Sequence, residues 1–79
     1  MSVIMITWKG KTNNVIRQHV RTFVGEERET PLDFYLSLIL EGGNSSVKVF
    51  KIDTIICECK EMYYQLNQNK FEMREKKWV

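Results

Sequence analysis

Arg17, His19 and Arg21 occupy alternate positions in the run Val15-Ile16-Arg17-Gln18-His19-Val20-Arg21. On a strand, residues two apart share a face, so the three side chains would project together. Trp8 and Lys9, in the first apolar segment, are the residues placed to lie beside them. Cations next to an aromatic ring suit phosphate, a nucleotide or single-stranded RNA, through charge-assisted hydrogen bonds and stacking. Trp8, Lys9, Arg17, His19 and Arg21 therefore form the candidate ligand site. If the segment is helical, Arg17 and Arg21 become an i, i+4 pair on a solvated face and His19 sits at its apolar border.

Cys57-Glu58-Cys59 is a thiol pair at the wrong spacing for redox or zinc motifs, which place two residues between the sulfurs. On a strand the two thiols share a face about 6 to 7 Å apart, too far for an unstrained disulfide. A zinc site would need two further ligands, and His19 is the single histidine. The pair reads as two small buried hydrophobes in a reducing compartment, with a metal-held fold as the weaker alternative. Glu26, Glu27 and Glu29 form an acidic connection that reads as solvated loop. The chain has no glycine-rich phosphate loop, nucleophile elbow, dinucleotide fingerprint or histidine-rich motif. With no tuned base beside a nucleophile, the residues predict a protein that is not an enzyme and needs no cofactor.

Seventy-nine residues with 43% hydrophobic and 28% charged side chains make one small domain, residues 1–79, with a marginal core. A net charge of +2 is too small to announce a dedicated nucleic-acid protein. No apolar run approaches the ~18 residues of a membrane span, and Met1 to Thr7 lacks the character of a signal peptide. The expectation is a cytoplasmic protein with no membrane partner. The absence of alanine beside abundant Lys, Asn and Ile hints at an A+T-rich gene of a low-GC bacterium or its phage.

The elements that must position these residues follow from hydrophobic period. Ser2 to Trp8 is apolar on both alternating faces and reads as a strand, and Lys9 to Asn14 supplies turn residues. Val15 to Val24 fits a helix by periodicity and a strand by its β-branched density, which tips the reading to strand. Leu32, Phe34, Leu36, Leu38 and Leu40 alternate with other residues up to Glu41-Gly42-Gly43-Asn44-Ser45-Ser46, and Val47 to Ile52 alternates after it. That pattern predicts a β-hairpin. Thr30-Pro31 also carries a helix-start signal, which the alternation outweighs. Ile55 to Lys60 reads as a further strand. Glu61 to Val79 is rich in helix formers and predicts a terminal helix, with a hairpin turning at Asn67-Gln68-Asn69 as the rival. On the second face of the Leu32–Leu40 strand, Tyr35 and Ile39 call for a cover. With the terminal Trp78 they form the candidate partner interface.

The rhythm of residues 34–56, a long hairpin followed by Ile52-Asp53-Thr54-Ile55, is similar to the later strands of Sm-like and YolD-like domains. This resemblance implies a small five-stranded barrel used for binding or assembly and carries over no site residue. The combined reading is a mainly β (or α+β) domain: a small antiparallel sheet or barrel of four to five strands, closed or nearly closed, with a C-terminal helix. The function expected of it is protein binding or regulation, as in a phage or mobile-element inhibitor, with a protein partner or self-association through a sheet edge. The alternative is a nucleotide- or RNA-binding small barrel.

Overall fold

Two hairpins with two-residue turns frame the sheet. The computed structural model describes residues 2–77. Strand β1 (Ser2–Thr12) returns as β2 (Val15–Val24) through Asn13 and Asn14, and β4 (Glu58–Asn67) returns as β5 (Lys70–Glu75) through Gln68 and Asn69. All four turn residues have positive φ, between 51° and 64°, the geometry whose twist matches that of the flanking strands. Between the hairpins lie helix α1 (Pro31–Glu41) and strand β3 (Ser45–Asp53). The five strands form one antiparallel sheet in the order β2-β1-β3-β4-β5. The mainly β, antiparallel expectation holds, but the sheet is open, with β2 and β5 as its edges.

Three local readings are corrected by the fold. The segment carrying the Leu32–Leu40 alternation is α1 and not a strand, so no hairpin joins it to β3. Its residues are apolar on nearly every side, which satisfies a period of two as well as 3.6, and the start signal decides between them. Thr30 Oγ1 accepts from the Asp33 amide at 3.2 Å, and Pro31 occupies the first turn where its missing N–H costs nothing. At the other end Gly42 and Gly43 turn at positive φ. The Asn44 side-chain amide then donates to the Leu38 carbonyl at 3.0 Å, satisfying one orphaned acceptor of the last turn.

The expected C-terminal helix is also absent: residues 58–75 are the β4–β5 hairpin, turning where the rival reading placed it. Cross-strand pairs such as Tyr64 with Met73 and Leu66 with Phe71 outweigh the helix propensity of Glu, Lys and Gln there. Finally, residues 54–57 form a turn, and β4 starts only at Glu58. Asp53 shapes that turn by accepting from the amides of Ile55 (3.0 Å) and Ile56 (3.4 Å). These two bonds hold its carboxyl below its ordinary pKa.

The helix lies on one face of the sheet. Ile6 of β1, Phe23 of β2, Val49 of β3 and Leu38 of α1 are the buried core, with Ile4, Trp8, Phe34, Tyr35, Met62 and Tyr64 packed around it. Burying a leucine such as Leu38 is worth about 1.5–3 kcal/mol, so four such side chains make a slender core. The β3–β4 ladder runs only from Asp53/Glu58 to Val49/Met62, while β4 continues along β5 to Asn67. Beyond Val49 the two strands part around a cleft of about 290 Å³, lined by Val47, Lys48, Tyr35 and Tyr63 among others. Opposite the helix, no element among the described residues covers the second face of the sheet.

Candidate functional site

Register decides which of the candidate residues meet. Trp8 pairs with His19, Gly10 with Arg17 and Ile6 with Arg21. Since Ile6 faces the helix, so do Trp8, Arg17, His19 and Arg21, as the strand reading of 15–24 requires. The Trp8 and His19 rings stack at 5.3 Å with 17° between planes. Phe34 of α1 meets Trp8 edge-on at 5.2 Å. Gly10 is buried beside this stack, and a Cβ there would come within 2.8 Å of Asn44 Oδ1. The indole and imidazole thus brace the end of the helix against the β1–β2 hairpin.

Arg21 has its charge engaged. Its guanidinium lies 4.6 Å from the Phe23 ring centroid and 5.2 Å from that of Phe34. It also reaches Glu27 at 3.4 Å and Glu29 at 3.5 Å, while Glu27 accepts from the Val24 amide at 3.1 Å. The acidic connection is therefore a tie between β2 and α1, with cation–π contacts beneath it. Lys9, one residue from Trp8, points to the opposite face of the sheet. The five residues do not converge on one ligand site.

The expected partner residues separate as well. Tyr35 packs inward, its ring 5.0 Å from that of Tyr64. Burial, and then the neighbouring Tyr35, push the Tyr64 phenol from 10.0 up to about 12. Ile39 lies on the outer side of α1, 52% exposed. Trp78 lies outside the described residues. Cys57 and Cys59 are free and exposed rather than buried, with Cys57 in the turn at φ 54°. Among the described residues no three potential metal ligands gather. Where the helix does not reach, Lys51, Asp53, Glu58, Lys60 and Glu75 line a shallow polar depression of about 250 Å³. Lys60 there bonds Glu58 at 3.2 Å and lies 3.9 Å from Glu75. The Glu58 hydrogen bond leads in raising its pKa.

Two surfaces each hold one residue the sequence singled out, Ile39 and Lys9, among others it did not. The first is the outer side of α1, where Leu40 is 85% exposed beside Ile39. Leu66 and Phe71, also exposed, pair near the β4–β5 turn on the helix side of the sheet. The second is the helix-free face, where Lys48, Phe50 and Tyr63 join Lys9. Its signal in the sequence is the alternation Val47-Lys48-Val49-Phe50, legible as a separate basic and aromatic face only once the helix is known to cover the valines. No helix among the described residues is long and apolar enough to cross a membrane. No family model, curated protein or solved structure matches the chain.

Proposed function

We propose that the chain is a small non-enzymatic binding protein that acts by protein–protein contact, as a phage or mobile-element inhibitor of a host protein does. The observation that carries this reading is α1, a helix apolar on its outer side as well as its inner one. Leu40 and Ile39 stand in solvent, while among the described residues only four apolar side chains are buried. Outside the polar stripe of Asp33, Ser37 and Glu41 the helix is apolar, and apolar helix surface beyond the side that meets the sheet is ordinarily covered; an exposed apolar patch marks an interaction surface. Covering Leu40 alone would contribute about 1.5–3 kcal/mol to binding before the cost of association.

The sheet edges offer a second means of contact, and their charges differ. Antiparallel self-pairing of β2 about His19 would set Arg17 against Arg21 of a second copy, so that edge resists its own kind. Self-pairing of β5 about Met73 would set Glu72 against Arg74, which is complementary. Self-association through an edge is therefore a property of β5 in this reading.

The test compares wild type with Ile39→Lys/Leu40→Lys, two exposed substitutions that leave the core untouched. Sedimentation velocity measures self-association, and capture from nuclease-treated lysate measures other partners. A complex of either kind that the double variant loses, with its circular dichroism unchanged, supports the reading. A wild type that is monomeric and captures nothing, or whose complexes survive the double substitution, overturns it.

A further inference from the structure

The modest net charge conceals a segregation that only the register exposes. Side chains opposite Ile6, Val49 and Met62 in alternation point away from the helix. On that face lie Lys9, Lys11, Lys48, Lys70 and Arg74, and Lys76 extends β5 by donating its amide to the Glu61 carbonyl at 2.8 Å. Among the described residues the only carboxylates on this face are Glu61 and Glu72. Six cations less two carboxylates leave +4 here, and six cations less eight carboxylates leave −2 on the rest of a chain whose total is +2. The two carboxylates are paired with cations of the same face, Glu61 with Lys76 at 3.0 Å and Glu72 with Arg74 at 2.9 Å, and this pairing leaves the net +4 unchanged.

Aromatic rings stand among these cations. Phe50, half-buried, and Lys9 and Lys48, both exposed, line a shallow concavity of about 510 Å³ together with Thr7, Gln18 and Ser46. Tyr63, 44% exposed, pairs with Arg74 and shares the β3–β4 cleft with Lys48. Phe50 pairs with Glu61, two residues before Tyr63, and the ladder ends at Val49 and Met62, so the two rings share the helix-free face where the strands begin to part.

We propose that this helix-free face binds single-stranded nucleic acid, with Phe50 and Tyr63 as stacking platforms for bases and Lys9, Lys48 and Arg74 as phosphate contacts. Rings laid between cations on an open sheet match both chemical features of an unpaired strand, its base faces and its charged backbone. A duplex would present phosphates but no free base face. A second copy of this chain is excluded as occupant because +4 would face +4. The site goes beyond the protein-contact reading and lies on the opposite side of the molecule, so either can fail without the other.

The test is fluorescence anisotropy with labelled oligo(dT) and oligo(rU) at low salt, on the intact chain. Three cationic contacts, Lys9, Lys48 and Arg74, predict a slope of about −2 in log affinity against log salt. Lys9→Glu/Lys48→Glu should weaken binding more than about 10-fold. The control Arg28→Glu/Lys51→Glu makes the same change of net charge off this face and should leave binding within about two-fold. Phe50→Leu, which keeps an apolar side chain at the position, combined with Tyr63→Ala should cost about 30-fold or more, at about 1 kcal/mol or more for each of the two rings. Circular dichroism on each variant separates lost contact from lost fold. Absence of binding at low salt, equal losses in the two charge variants, or no loss on removing the rings would overturn the proposal. So would tighter binding of duplex, polyglutamate or anionic vesicles than of the single strands.

Discussion

Replacing Gly10 by alanine should destabilise the protein, and the loss should depend on Asn44. Gly10 sits in β1 with a backbone conformation open to any residue, so strain is not the issue. An added Cβ would lie 2.8 Å from Asn44 Oδ1, against ordinary distances of 3.6 Å to Trp8 and 3.7 Å to His19. Relieving that contact means moving the Asn44 side chain, whose amide donates to the Leu38 carbonyl at 3.0 Å. Losing this bond costs about 1 kcal/mol, and residual crowding adds about 1 kcal/mol at the low end for overpacked sites. Exchanging glycine for alanine in a strand returns about 0.5–1 kcal/mol. The net expectation for Gly10→Ala is a loss of about 1–1.5 kcal/mol, a drop of roughly 5–10 °C in Tm for a domain of this size. In an Asn44→Ala background the crowding and the bond are both gone, so the same substitution should stabilise by about 0.5–1 kcal/mol. Urea denaturation of the four proteins followed by circular dichroism closes the cycle, with a coupling of about 2 kcal/mol. Equal losses from Gly10→Ala in both backgrounds would refute the assigned role of Asn44.

Two further outcomes follow from the packing. Leu38→Ala should cost about 2–5 kcal/mol because that side chain is buried in the core. Leu40→Ala should change stability by no more than about 0.5 kcal/mol; on a strand the two would share a face, so similar losses would count against the helix as placed. Tyr64 is a phenol held neutral in the fold, with its pKa raised from 10.0 to about 12. Its contribution is complete below pH 10 and is lost as pH rises towards 12, since the unfolded chain gives up its proton first. Urea midpoints should fall across that interval and fall less in Tyr64→Phe; parallel curves for the two proteins would exclude Tyr64 as the cause.

The candidate site was legible in pieces. Arg17, His19 and Arg21 do share a face, because strand periodicity is a local property, and Trp8 does lie against His19. What each cation does was hidden. Arg21 is drawn to Glu27 and Glu29, and Lys9 is turned away from Trp8 by one step of the pleat. The helix start at Thr30 was likewise written locally, yet an element apolar on nearly every side satisfies two periods, and periodicity could not choose between them. The cysteines stand exposed because the β3–β4 turn consumes residues 54–57, a matter of where cross-strand pairing stops.

The sequence by itself determined the antiparallel β character of the domain, strand β1, most of β3, and, by β-branched density, β2. These follow from steric and pleating rules that act within a few residues. Tertiary structure alone decided the strand order, the open sheet, the pairing of β4 with β5 and the placing of α1 on one face. It thereby sorted a chain of net charge +2 into a basic aromatic face and an apolar helical one. The reason is physical: burial and charge segregation are properties of faces, and a face exists only after distant strands have set their register.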